Sequence, residues 1–266
     1  MKYMTFNSSC SFAGVANMLL PWGVDVEDRQ IALGMKLPYL FDWEDGVYSA
    51  GPMLQTSKWF NLYLNPLGYA MTETAVRRSD AADFLSRCGM AMLGLRVSQG
   101  QKHAVVFVGM ENEAFQFINN KWRNSDAPER LSFSREALTE RLDDTVMVAT
   151  IGKAPVTAPP PRERYLRSCQ VLEQYKIDAQ DFCRVKREPE ALAAAMNSLF
   201  RATLLDGITM LELIGQDELA ESFRRIQRPF LGAVREGRPV ILSEKLDMPA
   251  WLAAIDAYIA LIQRSI

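Results

Sequence analysis

Apolar residues recur along this chain in two rhythms, one helical and one strand-like, and the change between them organises the whole sequence. Near the N-terminus Phe12, Val15, Ala16 and Leu19 keep the i, i+3, i+4, i+7 spacing of a helix face. Ser8 and Ser9 stand where a cap can accept the first helical N–H groups, and Pro21 and Gly23 stop the run. Cys10 therefore falls in the first turn. A second helix is predicted over residues 25–35 (DVEDRQIALGM). A third covers 79–88 (SDAADFLSRC), with Ser79 as its cap and Phe84 and Leu85 facing inward. Residues 37–72 between them are aromatic and lack a period, so they are read as irregular.

After residue 90 the texture becomes that of strands: MAMLGLRV, HAVVFVGM, AFQFIN and TVMVATI, with ENE (111–113) as a hairpin turn. An antiparallel sheet follows from that order. Residues 153–164 (KAPVTAPPPRER) hold four of the 13 prolines, a density that neither helices nor central strands accept, and mark a linker. Beyond it Leu192, Met196 and Leu199, then Leu219, Phe223 and Ile226, then Leu252, Ile255, Ile259 and Ile262 return to helical spacing; only PVIL at 239–242 suggests a strand. The expected organisation is an α+β domain over 1–152, the linker over 153–164 and an all-α domain over 165–266. Neither a repeat nor a further low-complexity tract interrupts it.

Composition narrows the function classes. With 266 residues, 48% hydrophobic and 23% charged, the chain can bury one large core or two modest ones. Its formal charge of -2, from 30 basic and 32 acidic side chains, gives no reason to expect a nucleic-acid partner. No stretch reaches the roughly eighteen apolar residues of a membrane span, and MKYMTFNSSC lacks a secretory apolar core, so a cytoplasmic protein with no membrane partner is expected. Cys10, Cys88, Cys169 and Cys183 form no CxxC pair, and a lone histidine rules out a histidine-rich metal site. No cofactor is called for.

Three residues carry candidate chemistry. A thiol attacks carbonyls as thiolate, and a helix N-terminus, with unpaired N–H groups and partial positive charge, favours that anion at Cys10. A buried cysteine in a core helix is the commoner meaning of such a residue. His103 opens the run HAVVFVGM, so it projects from a strand start that can border a cleft, and it is the only histidine available as a base near neutral pH. Such a base needs a partner on its other ring nitrogen. In AFQFINN, Phe115, Phe117 and Asn119 share a face by the period-two rule, which brings Asn119 across the hairpin toward His103, ahead of Asn120 and Asp126. Cys88, Cys169 and Cys183 sit in helical patterns and are assigned no chemistry.

The order of a cysteine at a helix start, a histidine opening a valine-rich strand and an asparagine after a hairpin resembles the papain-like peptidases of the bacteriocin-processing C39 group over residues 5 to about 150. The segment NSSCSFAGVANMLLPWGVDVEDRQIALGMKLPYLF is also similar to the N-terminal domain of the butirosin-biosynthesis H protein (BtrH-like) family, which implies acyl transfer through a cysteine thioester. On that resemblance the first domain is papain-like, with Cys10 as nucleophile, His103 as base and Asn119 as the orienting residue. Papain-like enzymes usually place a glutamine several residues before the cysteine; MKYMTFNSS has none, and Asn7 is the only amide there to serve the oxyanion hole.

The expected function is cysteine-dependent acyl transfer or hydrolysis of an amide or thioester in a small-molecule, peptide or carrier-bound substrate. Trp43, Tyr48 and Trp59 are read as lining a substrate groove, although aromatics in such a stretch are more often core. The missing glutamine favours the alternative of a papain-like binding module without catalysis. The C-terminal stripe at 252–262 is long enough to cover a cleft, hold a carrier protein or join two copies.

Overall fold

The computed structural model describes residues 1–6, 9–98, 101–120, 129–157, 162–184, 198–235 and 246–265. In chain order these form α1 (Cys10–Leu19), α2 (Asp28–Gly34), the strands β1 (Phe41–Glu44) and β2 (Val47–Ala50), and α3 (Ser57–Leu64). β3 (Tyr69–Arg77), α4 (Ala81–Arg87), β4 (Ala91–Ser98), β5 (Gln101–Glu111), β6 (Ala114–Asn119), β7 (Glu129–Phe133), α5 (Arg135–Glu140) and β8 (Thr145–Lys153) follow. The last part is helical: α6 (Glu163–Arg184), a π-helical stretch Arg201–Leu205 running into α7 (Asp206–Leu213), α8 (Asp217–Arg235) and α9 (Met248–Arg264). The fold is α+β, an antiparallel sheet with helices followed by a helical part.

Two compact units divide the chain. One contains residues 1–35 and 55–159, the other 36–54 and 160–266. Residues 36–54, which the sequence pattern grouped with the N-terminal domain, thus belong to the helical unit. The reason is local: Asp45 and Gly46 both take positive φ (51° and 77°), the geometry of a two-residue hairpin turn, so β1 and β2 pair as a ribbon. That ribbon contributes Phe41, Tyr48 and Ala50 to a core built otherwise from α6 to α9, with Tyr175, Phe223, Trp251 and Tyr258 at its centre.

In the first unit six strands run in the order β3-β8-β4-β5-β6-β7. Every pairing is antiparallel. Asn112 and Glu113 take positive φ (48° and 64°) and turn β5 into β6, as ENE suggested. β3, β7, α3 and α5 have no counterpart among the predicted elements. β3 and β7 are the sheet's two edge strands, where one flank is solvated and the apolar alternation that announces a strand is diluted by polar residues. PVIL at 239–242 lies outside the described residues.

α1 is the hub of this unit. Phe12, Val15, Ala16 and Leu19 are all 0% exposed, and Ser11, Gly14, Asn17 and Met18 are buried too, so the helix is enclosed on every side except near Cys10. Enclosing each large apolar side chain contributes on the order of 1.5–3 kcal/mol. Phe12 packs edge-on between Phe6 and Phe60 at 5.3 and 5.0 Å, locking α1 to the preceding segment and to α3. Asp28, at the first position of α2, is 0% exposed and accepts from the Thr5 N–H at 2.6 Å and the Thr5 hydroxyl at 2.5 Å, which ties down the strand of chain leading to Cys10.

Two expected caps behave differently. Ser9 occupies the N-cap of α1, yet its hydroxyl makes no capping bond and is buried without a partner among the described residues. Ser79 falls inside a 3-10 turn (Arg78–Asp80) that precedes α4, so that helix starts at Ala81 with Asp80 at the cap position.

Candidate active site

Cys10 is the first residue of α1 and is half-buried. The helical ladder begins with the Ala13 N–H donating to the Ser9 carbonyl at 2.9 Å, so the N–H groups of Cys10, Ser11 and Phe12 precede it and point from the positive end of the helix. Cys10 and His103 line one cavity of about 300 Å³, bordered also by Ser11, Gln55, Glu73 and Lys102.

His103 is the third residue of β5, opposite Leu95 of β4. Its Nδ1 lies 2.6 Å from Oδ1 of Asn119, the last residue of β6. The ladder register explains the contact. Asn119 pairs with Val105, and His103 sits two residues earlier on the same face, within diagonal reach of a long side chain. Phe115, Phe117 and Asn119 are all buried on that face, as period two requires. Asn119 also donates from Nδ2 to Oε2 of Glu129, its direct partner on β7, at 2.7 Å.

Asn120, considered above behind Asn119 as an orienting residue, has a different role. It turns away toward α1, donating from Nδ2 to the carbonyls of Cys10 (3.0 Å) and Ala104 (3.2 Å) and accepting at Oδ1 from Asn17 (3.0 Å). One buried amide thereby ties the first turn of the cysteine helix to the strand of His103. Asp126 and Asn7 lie outside the described residues.

Gln55 was not singled out by sequence. It reaches the cavity from the residues before α3, and its Oε1 accepts from the Ser11 hydroxyl at 2.8 Å, which turns its amide nitrogen to the other side. Nothing in the local pattern around TSKWF announced an amide placed beside a cysteine 45 residues earlier. Only the packing of α1 near α3 does so.

The aromatic residues expected to line a groove are distributed otherwise. Trp43 and Tyr48 belong to the second unit and Trp59 to the first. Tyr48 is a core residue, its ring 5.0 Å from that of Tyr175 and its hydroxyl donating to Asp178 at 2.5 Å; burial, and after it the Asp178 carboxylate, push its pKa far above the usual phenol value. Trp59 is buried on α3, whereas Trp43 is 41% exposed on β1.

The thiols of Cys88 and Cys169 are both pushed up by burial, which disfavours their thiolates. Among the described residues no group of histidine, cysteine and carboxylate side chains could hold a metal ion, and no helix is long and apolar enough to cross a membrane.

No protein family matches the chain, and no curated protein matches it. Among solved structures it is similar to the peptidase domain of Streptococcus ComA, a bifunctional ABC transporter involved in a quorum-sensing pathway. That match has 14% identity and a TM-score of 0.37, and covers 57% of this chain and 96% of the other. The Pseudomonas avirulence protein AvrPphB is similar over 38% of this chain and 61% of its own, at 14% identity and a TM-score of 0.24.

Proposed function

We propose that this protein is a papain-like cysteine enzyme that transfers or hydrolyses an acyl group held as an amide or thioester. The observation that carries this reading is the pairing of His103 Nδ1 with Asn119 Oδ1 beside a cavity that Cys10 also lines. The thiolate of Cys10 attacks the carbonyl carbon, and His103 takes the thiol proton and returns it to the leaving amine or thiol. An amine or water then adds to the acyl-enzyme and frees Cys10. The Cys10 N–H at the head of α1 offers one oxyanion donor, and the second is the side-chain amide of Asn7 or of Gln55, which borders the same cavity. The substrate class is small-molecule, peptide or carrier-bound.

Selective alkylation tests the reading. With iodoacetamide at pH 6, peptide mapping should find the label on Cys10 ahead of Cys88 and Cys169, and His103→Ala should slow labelling of Cys10 by at least about tenfold. Cys10→Ala should leave the melting temperature within a few degrees of the parent. Equal labelling of Cys10, Cys88 and Cys169, or a Cys10 rate indifferent to His103→Ala, favours the non-catalytic binding module instead.

A further inference from the structure

The amide of Asn119 is 3% exposed, so protein groups and not water decide which way it faces. Two neighbours hold it, on opposite sides. On β7, Glu129 stands directly across the ladder and its Oε2 lies 2.7 Å from Asn119 Nδ2; on β5, His103 Nδ1 lies 2.6 Å from Asn119 Oδ1. A carboxylate has only acceptor sites to offer, so the amide nitrogen must face Glu129 and the oxygen must face the ring. An amide oxygen is also only an acceptor, so the nitrogen of His103 that meets it must carry the hydrogen. The neutral ring then has its lone pair on Nε2.

From this chain of donors and acceptors, we propose that Glu129 is a positioning residue that sets the tautomer of His103 through Asn119, making Nε2 the basic nitrogen. The inference deepens the acyl-transfer reading, on which its functional meaning rests. Without Glu129 the Asn119 amide is free to rotate by 180° and present its N–H groups to Nδ1. That reversed arrangement stabilises the tautomer with hydrogen on Nε2, which is also the form an unconstrained imidazole prefers in water, and a base that already carries the hydrogen cannot take one from a thiol. Three strands are needed to build the relay, and β7 supplies its far end from the sheet's edge.

The chain has 1 histidine, so nitrogen-15 NMR of protein labelled at histidine reports this ring alone. For the neutral ring, the parent should show a proton-bearing Nδ1 and an unprotonated Nε2. Glu129→Met, which removes the acceptor while keeping bulk, should move the hydrogen wholly or partly to Nε2 and slow alkylation of Cys10 by at least about tenfold. Glu129→Gln, which retains an acceptor oxygen, should restore the parent spectrum and rate. Glu129→Ala provides a second removal if the Met variant does not fold. A parent ring protonated at Nε2, or a Met or Ala variant with an unchanged spectrum, overturns the proposal. A spectrum that shifts as expected while Cys10 alkylates no faster than Cys88 leaves the relay standing and refutes the catalytic reading instead.

Discussion

Asn120 offers the sharpest test of how the cysteine helix is held. It is 1% exposed and makes three side-chain hydrogen bonds, two donated to the carbonyls of Cys10 and Ala104 and one accepted from Asn17. Truncation in Asn120→Ala removes all three. Asn17 keeps a second acceptor, the Lys2 carbonyl at 3.2 Å, and Cys10 keeps its place in the α1 ladder, so only partial desolvation penalties remain. At about 1 kcal/mol for each neutral bond lost, the expected cost is roughly 2–3 kcal/mol. Asn120→Asp has nearly the same shape but opposite consequences. Its carboxylate keeps the acceptor toward Asn17 and places a second anionic oxygen against two carbonyl oxygens at a buried position, so the cost should exceed that of Ala and reach about 3–5 kcal/mol. Burial and the facing carbonyls both favour the protonated acid, which can donate one of the lost bonds. The deficit of the Asp variant should therefore shrink as pH falls, while that of Ala should not change with it. Urea unfolding followed across pH, with the slope compared among variants to detect separate unfolding of the two units, measures both. An Asp variant as stable as Ala at neutral pH would falsify the bonding pattern assigned to Asn120. A second readout is Cys10 alkylation, which both changes should slow by loosening the first turn of α1.

Other outcomes follow from the same packing. Gly14 lies on α1 where an added Cβ would come 2.6 Å from Met92 Sδ and 3.1 Å from Asn120 Nδ2. Met92 is flexible enough to move, but Asn120 is pinned; the crowding, about 1–3 kcal/mol, should outweigh the roughly 1 kcal/mol gained in helix propensity, and a Gly14→Ala protein more stable to urea than its parent would contradict this. In the helical unit the carboxyl of Asp206 is pushed up to about 6 from 3.8 by burial, with Arg201 opposing the shift. An acid raised in the folded state loses stability as pH rises from its unfolded value through its folded one, so the window is about pH 4 to 6. The penalty above it is on the order of 3 kcal/mol. Asp206→Asn should remove that slope and stabilise the helical unit at pH 7; a melting temperature for the variant that keeps the parent's dependence over this window would exclude Asp206 as its source.

Much of this molecule is legible in the order of its residues, because helices and central strands are set by spacing over a few positions. The stripe of Phe12, Val15, Ala16 and Leu19 ended where Pro21 and Gly23 indicated, and β4, β5, β6 and β8 occupy the apolar runs that announced them. The alternation Phe115, Phe117, Asn119 likewise placed an amide within reach of the only histidine, a short-range inference since the two strands are joined by one tight turn. Asp45-Gly46 was a hairpin signal that aromatic neighbours obscured.

What tertiary structure alone decided is everything that joins residues far apart. Glu129 behind Asn119, Asn120 beneath Cys10 and Gln55 beside it are ordinary polar residues in their own neighbourhoods. Their roles depend on which strand lies next to which and on how close the buried helix comes to the sheet. The same holds for residues 36–54, whose ribbon joins the core of a unit that resumes more than a hundred residues later. Local pattern records whether a position wants burial, but many partners satisfy an amide or an aromatic ring equally well, and only the folded contacts select among them.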